Sequence, residues 1–189
     1  YRSHELVEEG ANPFLNLKCI LRGGGFRQDG IKRYAGAFKE EQKTYPGDIV
    51  IAMTDMTQER LIVGQAARVP HLDSEFGIIS LDLVKVVPKI EIERDYLLSL
   101  FRFSSFSKTV REFANGTNVL HLNPKSIIGQ KFLLPPSKLI SNFAVKASEI
   151  FSLIDSLHEQ IELASQSRDL LLPRLVSGEL DVSDLELTG

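Results

Sequence analysis

Between Ser137 and Leu172 the chain carries a seven-residue repeat that neither proline nor glycine interrupts. Ile140, Phe143, Ala147, Ile150, Ile154, Leu157, Ile161, Ala164, Arg168 and Leu171 follow one another in alternating steps of three and four. Held for more than four heptads, that spacing describes a coiled-coil seam and predicts one long helix, opened after Pro135-Pro136 and closed by Pro173. At about 1.5 Å per residue the rod is roughly 54 Å long, longer than a small domain is wide. Its seam therefore needs a partner. Leu139, Phe151, Leu153, Leu163, Leu170 and Leu172 widen the apolar face beyond a two-stranded stripe, which suits a helix meeting more than one neighbour. Arg168 on the seam marks its end or an acidic partner.

What precedes the rod reads as a β-rich domain, residues 1–136, so the fold class expected is α+β with a long coiled-coil helix at 137–175 and an acidic tail at 176–189. Leu15 to Leu21 is a strand candidate ending at Gly23-Gly24-Gly25, followed by a basic loop to Thr44. Tyr45-Pro46-Gly47-Asp48 is a turn, with proline and glycine each supplying one required dihedral. Ile49 to Met53 and Leu61 to Val69 read as strands, and Phe76 to Val87 as one or two more. Asp95 to Phe113 changes period to that of a helix or helix pair. Val119 to Leu122 is a short extended piece, Asn123-Pro124 starts a short helix to Ile128, and Lys131 to Leu134 returns as a strand.

Charge is unevenly divided. The whole chain carries −3, yet its first 148 residues hold 20 basic against 16 acidic side chains. The first part suits a polyanion and the tail does not. No apolar run approaches the ~18 residues of a membrane span. Cys19 is the only cysteine, so no internal disulfide forms and a reducing cytoplasm is the expected location. The four histidines lie far apart without metal-ligand spacing, and no metal site is expected.

Several stretches together resemble the specificity subunit of type I restriction–modification systems. They are Gly24-Gly25-Phe26 with its basic loop, Tyr45 to Asp55, Ile62 to Pro70, Ala114-Asn115-Gly116-Thr117, Leu134-Pro135-Pro136 at the helix start, and Leu171 to Leu180. The chain departs from the family's usual pattern after the double proline, where it has Ser137-Lys138-Leu139 in place of an acidic residue and glutamine. The resemblance implies a target recognition domain that reads one half of a split site on double-stranded DNA, followed by a helix that sets the distance to a second such domain. A full subunit of the family has two domains and two antiparallel helices, so this chain looks like a half-subunit or a fragment. It also implies a subunit that is non-catalytic by itself, working with a methyltransferase subunit that modifies adenine using its own S-adenosylmethionine, and with a restriction endonuclease subunit. The chain itself would need no cofactor. Its helix would pair with a second copy or another half-subunit.

Residues Lys18 to Pro46 hold seven basic side chains against three acidic ones, with Phe26, Tyr34 and Phe38 interleaved. Arginine grips guanine with two parallel bonds, and lysine serves better as a phosphate contact. The DNA-binding candidates are accordingly Arg22, Arg27, Lys32 and Arg33, with Thr54, Thr57 and Arg60 on a second loop and Asn115, Thr117 and Asn118 on a third. The expected helix interface is Ile140, Phe143, Ile150, Ile154, Leu157, Ile161 and Leu171. Gly23 to Gly25 lack the lysine and hydroxyl of a nucleotide-binding loop and read as a flexible turn. Two other readings stand beside this one. A coiled-coil assembly module would use the basic loop only for solubility. A Mg-dependent nuclease would use Asp29, Glu41 and Lys43. Methyl transfer is not expected here, because Asn12-Pro13-Phe14 and Leu134-Pro135-Pro136-Ser137 each lack part of the loop that receives a flipped base.

Overall fold

Short strands framed by glycine and asparagine turns build the sheets, and a computed structural model describes them over residues 3–180. β1 (Leu6–Val7), β2 (Asn12–Leu15), β3 (Lys32–Tyr34) and β4 (Lys43–Thr44) come first. β5 (Ile49–Ala52), β6 (Thr54–Asp55), β7 (Ala66–Arg68), β8 (Gly77–Ile79) and β9 (Leu83–Lys85) follow. Then come α1 (Arg94–Phe103), α2 (Phe106–Val110), β10 (Leu120–His121), α3 (Pro124–Ile128) and α4 (Ser137–Val176). The arrangement is mixed α+β. Five strands pair in the order β1-β3-β2-β8-β4, three as β7-β5-β9, and β6 pairs with β10 alone. Among the described residues only β2 and β8 run parallel, with Phe14 opposite Ile78 and Leu15 opposite Ile79.

The continuous apolar run of β5 is explained by its central place: all four residues are buried between neighbours on both sides. Its Val50 and Ala52 join Leu15, Cys19, Ile20, Ala67, Val69, Leu72, Ile79 and Leu83 in one buried cluster. Phe14 stacks on Tyr34 at 5.0 Å in a second cluster with Ile78.

The sequence expectations fail where a side chain redirects the backbone. No strand spans Leu15 to Leu21. β2 stops at Leu15, because the Asn16 carboxamide accepts the Lys18 amide at 2.8 Å and caps a 3-10 turn over Leu17–Cys19. The basic loop is not structureless, since β3 and β4 lie within it. Leu61 to Val63 is not strand but a loop wrapped on a buried carboxylate; Gly64 and Gln65 bond to Ala52 at 2.8 and 3.0 Å, and the strand proper, β7, begins at Ala66. Lys131 to Leu134 forms no strand: the segment is exposed, Leu133 at 97%, and Phe132 packs its ring 5.9 Å from Phe106. The 95–113 stretch does divide into a helix pair, broken at Ser104, whose hydroxyl accepts from the Phe106 amide.

α4 also runs past its expected stop. Pro173 lies inside it, and the helix ends at Val176, beyond which Gly178 takes a left-handed φ of 73°. Proline this near a helix end removes a single backbone bond, the one to the Asp169 carbonyl, and a glycine in that conformation is the commoner terminator. The chain forms two compact units, Tyr1–Ala147 and Ser148–Gly189. In the first, Ile140, Ala144 and Ala147 are buried, and Phe143 meets Tyr96 of α1 edge-on at 5.9 Å. In the second, Ile150, Leu157, Ile161 and Leu171 are 45–63% exposed. The acidic tail proposed for 176–189 falls mostly outside the described residues.

Candidate nucleic-acid interface

Three connections converge around the β6–β10 ribbon, in which Thr54 faces His121 and Asp55 faces Leu120. The second loop is held by Asp55, whose side chain is 1% exposed. One of its oxygens accepts the Thr57 amide and hydroxyl at 2.9 and 3.0 Å; the other accepts the amides of Ile62 and Val63 at 2.7 and 3.2 Å. Burial alone would raise this carboxyl's pKa, yet the Ile62, Thr57 and Val63 amides and the Thr57 hydroxyl outweigh it and hold it below the ordinary carboxylate value. Asp55 is the knot that shapes residues 56–63. Sequence reasoning passed over it, since an aspartate beside a strand end looks like any turn residue.

The second and third loops are then tied together. The Gln58 side-chain amide donates to the Thr117 carbonyl at 2.9 Å, and the Arg60 guanidinium donates to Glu112 at 2.7 Å. Arg60 has a φ of 55°, unusual for a residue with a Cβ. The third loop closes as Asn115 and His121 exchange backbone hydrogen bonds at 3.0 and 2.8 Å. Gly116 is required there: a Cβ on it would stand 1.9 Å from the Val119 carbonyl oxygen. Thr57, Arg60, Asn115, Thr117 and Asn118 thus share one end of the domain. Thr54 lies on the ribbon itself, buried, with its hydroxyl donated to Asp82 at 2.9 Å.

In the first loop, Gly23, Gly24 and Gly25 all have positive φ. The Gly25 amide bonds to the Ala66 carbonyl at 2.9 Å, and Arg102 of α1 donates to the Gly24 carbonyl at 3.1 Å. This turn delivers Arg22 to a cleft of about 650 Å³. Lys18, Arg22, Arg27 and Lys32 line it with the apolar side chains of Leu17, Ile20 and Leu21, and Met56 and Ile62 enter it from the second loop. Asn16 and Asp82 complete it.

The cations differ in how far they are already engaged. Arg27 holds Asp29 through both carboxylate oxygens at 2.5 and 2.7 Å, and that bond keeps the Asp29 pKa below its ordinary value. Arg33 does not line the cleft; it pairs with Asp73 and also bonds to the Ala11 carbonyl. Lys18, Arg22 and Lys32 are exposed and, among the described residues, have no carboxylate partner. Lys18 is a cation that the candidate residues omitted, although it opens the same basic stretch. The residues of the nuclease reading are engaged elsewhere, Glu41 with Lys39 and Lys43 with Glu40.

No protein-family model matches the chain. Over 90 residues, 48% of the chain, it is 30% identical to the type I restriction enzyme MjaIX specificity subunit of Methanocaldococcus jannaschii. Over 96 residues it is 29% identical to the HindI specificity subunit of Haemophilus influenzae. These matches take in 20% and 21% of the relatives' length, so the matched stretch spans about a fifth of such a subunit. In fold it is similar to the type I S subunit from M. genitalium, with a TM-score of 0.59 at 15% identity, covering 94% of this chain and 41% of that one. The HsdS subunit from Thermoanaerobacter tengcongensis gives 0.53 at 15% identity, covering 97% and 48%. A chain from a type I R-M system studied for its complex assembly gives 0.53 at 19% identity, covering 90% and 39%. Both relatives are specificity subunits, two of the three structural neighbours are S subunits, and the chain matches one in part.

Proposed function

We propose that this chain reads one half of a bipartite DNA site for a type I restriction–modification complex. The observation that carries the reading is the cleft where Lys18, Arg22 and Lys32, with no carboxylate partner among the described residues, stand beside the tied second and third loops. Free cations at a cleft provide affinity through phosphates; polar side chains on rigid loops provide the sequence. Among the described residues no helix is long and apolar enough to cross a membrane. In this reading the chain is the non-catalytic specificity component. The methyltransferase subunit brings S-adenosylmethionine and the adenine chemistry, the endonuclease subunit joins the same assembly, and this chain binds and orients.

α4 supports the second half of the proposal. Leu153, Leu157, Ile161, Leu163 and Leu170 are each 46–71% exposed, an apolar content that a solvated helix does not need. The helix pairs in a coiled coil with a second copy or another half-subunit and so fixes the spacing between two recognition domains.

Binding to a randomised duplex pool, with and without a type I methyltransferase subunit and at several salt concentrations, tests this. The expected result is an enriched sequence with a steep salt dependence. Affinity without sequence preference in both conditions favours the assembly-module reading. Mg²⁺-dependent cleavage by the chain alone would favour the nuclease.

A further inference from the structure

A carboxylate is out of place in a cleft built for phosphates, and Asp82 is one. It lines the same cleft as Lys18, Arg22, Arg27 and Lys32, yet among the described residues it pairs with none of them. Its oxygens are turned instead onto two hydroxyls. Thr54 Oγ1 donates to Oδ1 at 2.9 Å, and Ser80 Oγ donates to Oδ2 at 3.2 Å. The backbone around it is fixed as well: the Asp82 carbonyl accepts the Met53 amide at 2.7 Å, and the Asp82 amide bonds to Ser80 Oγ at 3.2 Å. Thr54 is 5% and Ser80 3% exposed, so both hydroxyl donors are rigidly placed, whereas Asp82 itself is only half-buried.

We infer that Asp82 is a specificity-determining residue that accepts a hydrogen bond from the exocyclic amino group of a base, cytosine N4 or adenine N6. The inference rests on the DNA-recognition reading above. An ionised carboxylate only accepts, and each oxygen has room for more than the one hydroxyl it already takes. It repels phosphate, so this part of the cleft does not serve the backbone. What DNA offers to an acceptor in the major groove is the amino group of cytosine or of adenine. Guanine and thymine present acceptors there and are turned away by the same charge. Arg22 and Lys32 hold the flanking phosphates, and Met56 and Ile62 supply the apolar wall beside the base edge.

The test uses the full chain, with and without a type I methyltransferase subunit, on its selected duplex. Each cytosine in turn is replaced by a base lacking the 4-amino group, and each adenine by one lacking the 6-amino group. One position should lose about tenfold or more in affinity, the range for a hydrogen bond to a charged group. Whether that position is a cytosine or an adenine identifies the base. In Asp82→Ala, which removes both acceptor oxygens, the penalty at this position should disappear while other positions keep theirs, and the salt slope should not fall. Arg22→Ala should instead weaken binding to all sequences alike and lower the slope by about one. If the wild-type chain selects a sequence but Asp82→Ala keeps every preference, the inference on Asp82 is overturned and DNA recognition stands. If the wild-type chain selects nothing, recognition itself fails. Thermal melting reports whether Asp82→Ala folds. Should it not, Ser80→Ala and Thr54→Ala each release one carboxylate oxygen and should soften discrimination at the same position; loss spread evenly over the site would overturn the assignment.

Discussion

Replacing Asp55 by asparagine is the sharpest probe of how the second loop is held. The side chain keeps its shape but has one acceptor oxygen instead of two. In the wild type one oxygen serves Thr57 twice and the other serves the amides of Ile62 and Val63. The new NH₂ group must therefore face one of these donor pairs. Turned toward exposed Thr57 it does least harm, because water reaches that amide and the hydroxyl rotates to accept. What is lost is one charge-assisted backbone bond and the charge on the others, about 2–3 kcal/mol at neutral pH. Alanine leaves the buried Val63 amide and the Ile62 amide unsatisfied as well, and should cost about 4 kcal/mol. The folded-state pKa of Asp55 is depressed, so its contribution is complete above the unfolded value of about 3.9 and disappears as pH falls through the lower, folded one. Urea unfolding should thus show a wild-type advantage over Asp55→Asn that is constant from neutral pH down to mildly acidic pH and narrows below about pH 4. An advantage under 0.5 kcal/mol at pH 7, or one that persists unchanged at pH 3, would refute the role given to this carboxylate.

Other perturbations have equally definite outcomes. Burial pushes the Cys19 thiol up to about 11, opposed by its bond to the Asn16 backbone, so the native protein should react with a thiol reagent at pH 7.5 far more slowly than the protein in denaturant; equal rates would contradict the packing. Arg60→Gly relieves a left-handed backbone that costs roughly 1–2 kcal/mol and gives up an exposed ion pair of roughly 0–1 kcal/mol, so melting should rise slightly while DNA affinity drops. A drop in both would mean that the Glu112 pair outweighs the strain. For α4, Ile154→Asp with Leu157→Asp should lower the mass seen by light scattering without altering the melting of the first unit. An unchanged mass would show that the exposed seam is not an assembly surface.

The parts of the fold legible in the sequence were those set by apolar periodicity: β5, the α1–α2 pair, the short α3 and the long α4. The misreadings share one physical cause, polar side chains that bind their own backbone. Asn16 ends β2 three residues after Pro13, and Asp55 curls 61–63 away from the ladder; neither act leaves a trace in hydrophobic spacing. β3 was hidden because only Tyr34 of its three residues is buried. The candidate residues fell into place unevenly for a related reason. Arg22 and Lys32 could be chosen from charge alone, but charge does not say that Arg27 and Arg33 already hold Asp29 and Asp73. Those pairs join distant or locally folded positions, as does the carboxylate of Asp82, which enters a basic cleft from the turn between β8 and β9.

Sequence-specific DNA binding is the central claim, and selection from a randomised duplex pool tests it most directly. The full chain, assembled with a type I methyltransferase subunit, should enrich one short motif, and Lys18, Arg22 and Lys32 variants should lower affinity for that motif and for unrelated DNA by the same factor. A pool that emerges without enrichment, bound as tightly by the triple variant as by the wild type, would contradict both the recognition role and the cleft assigned to it.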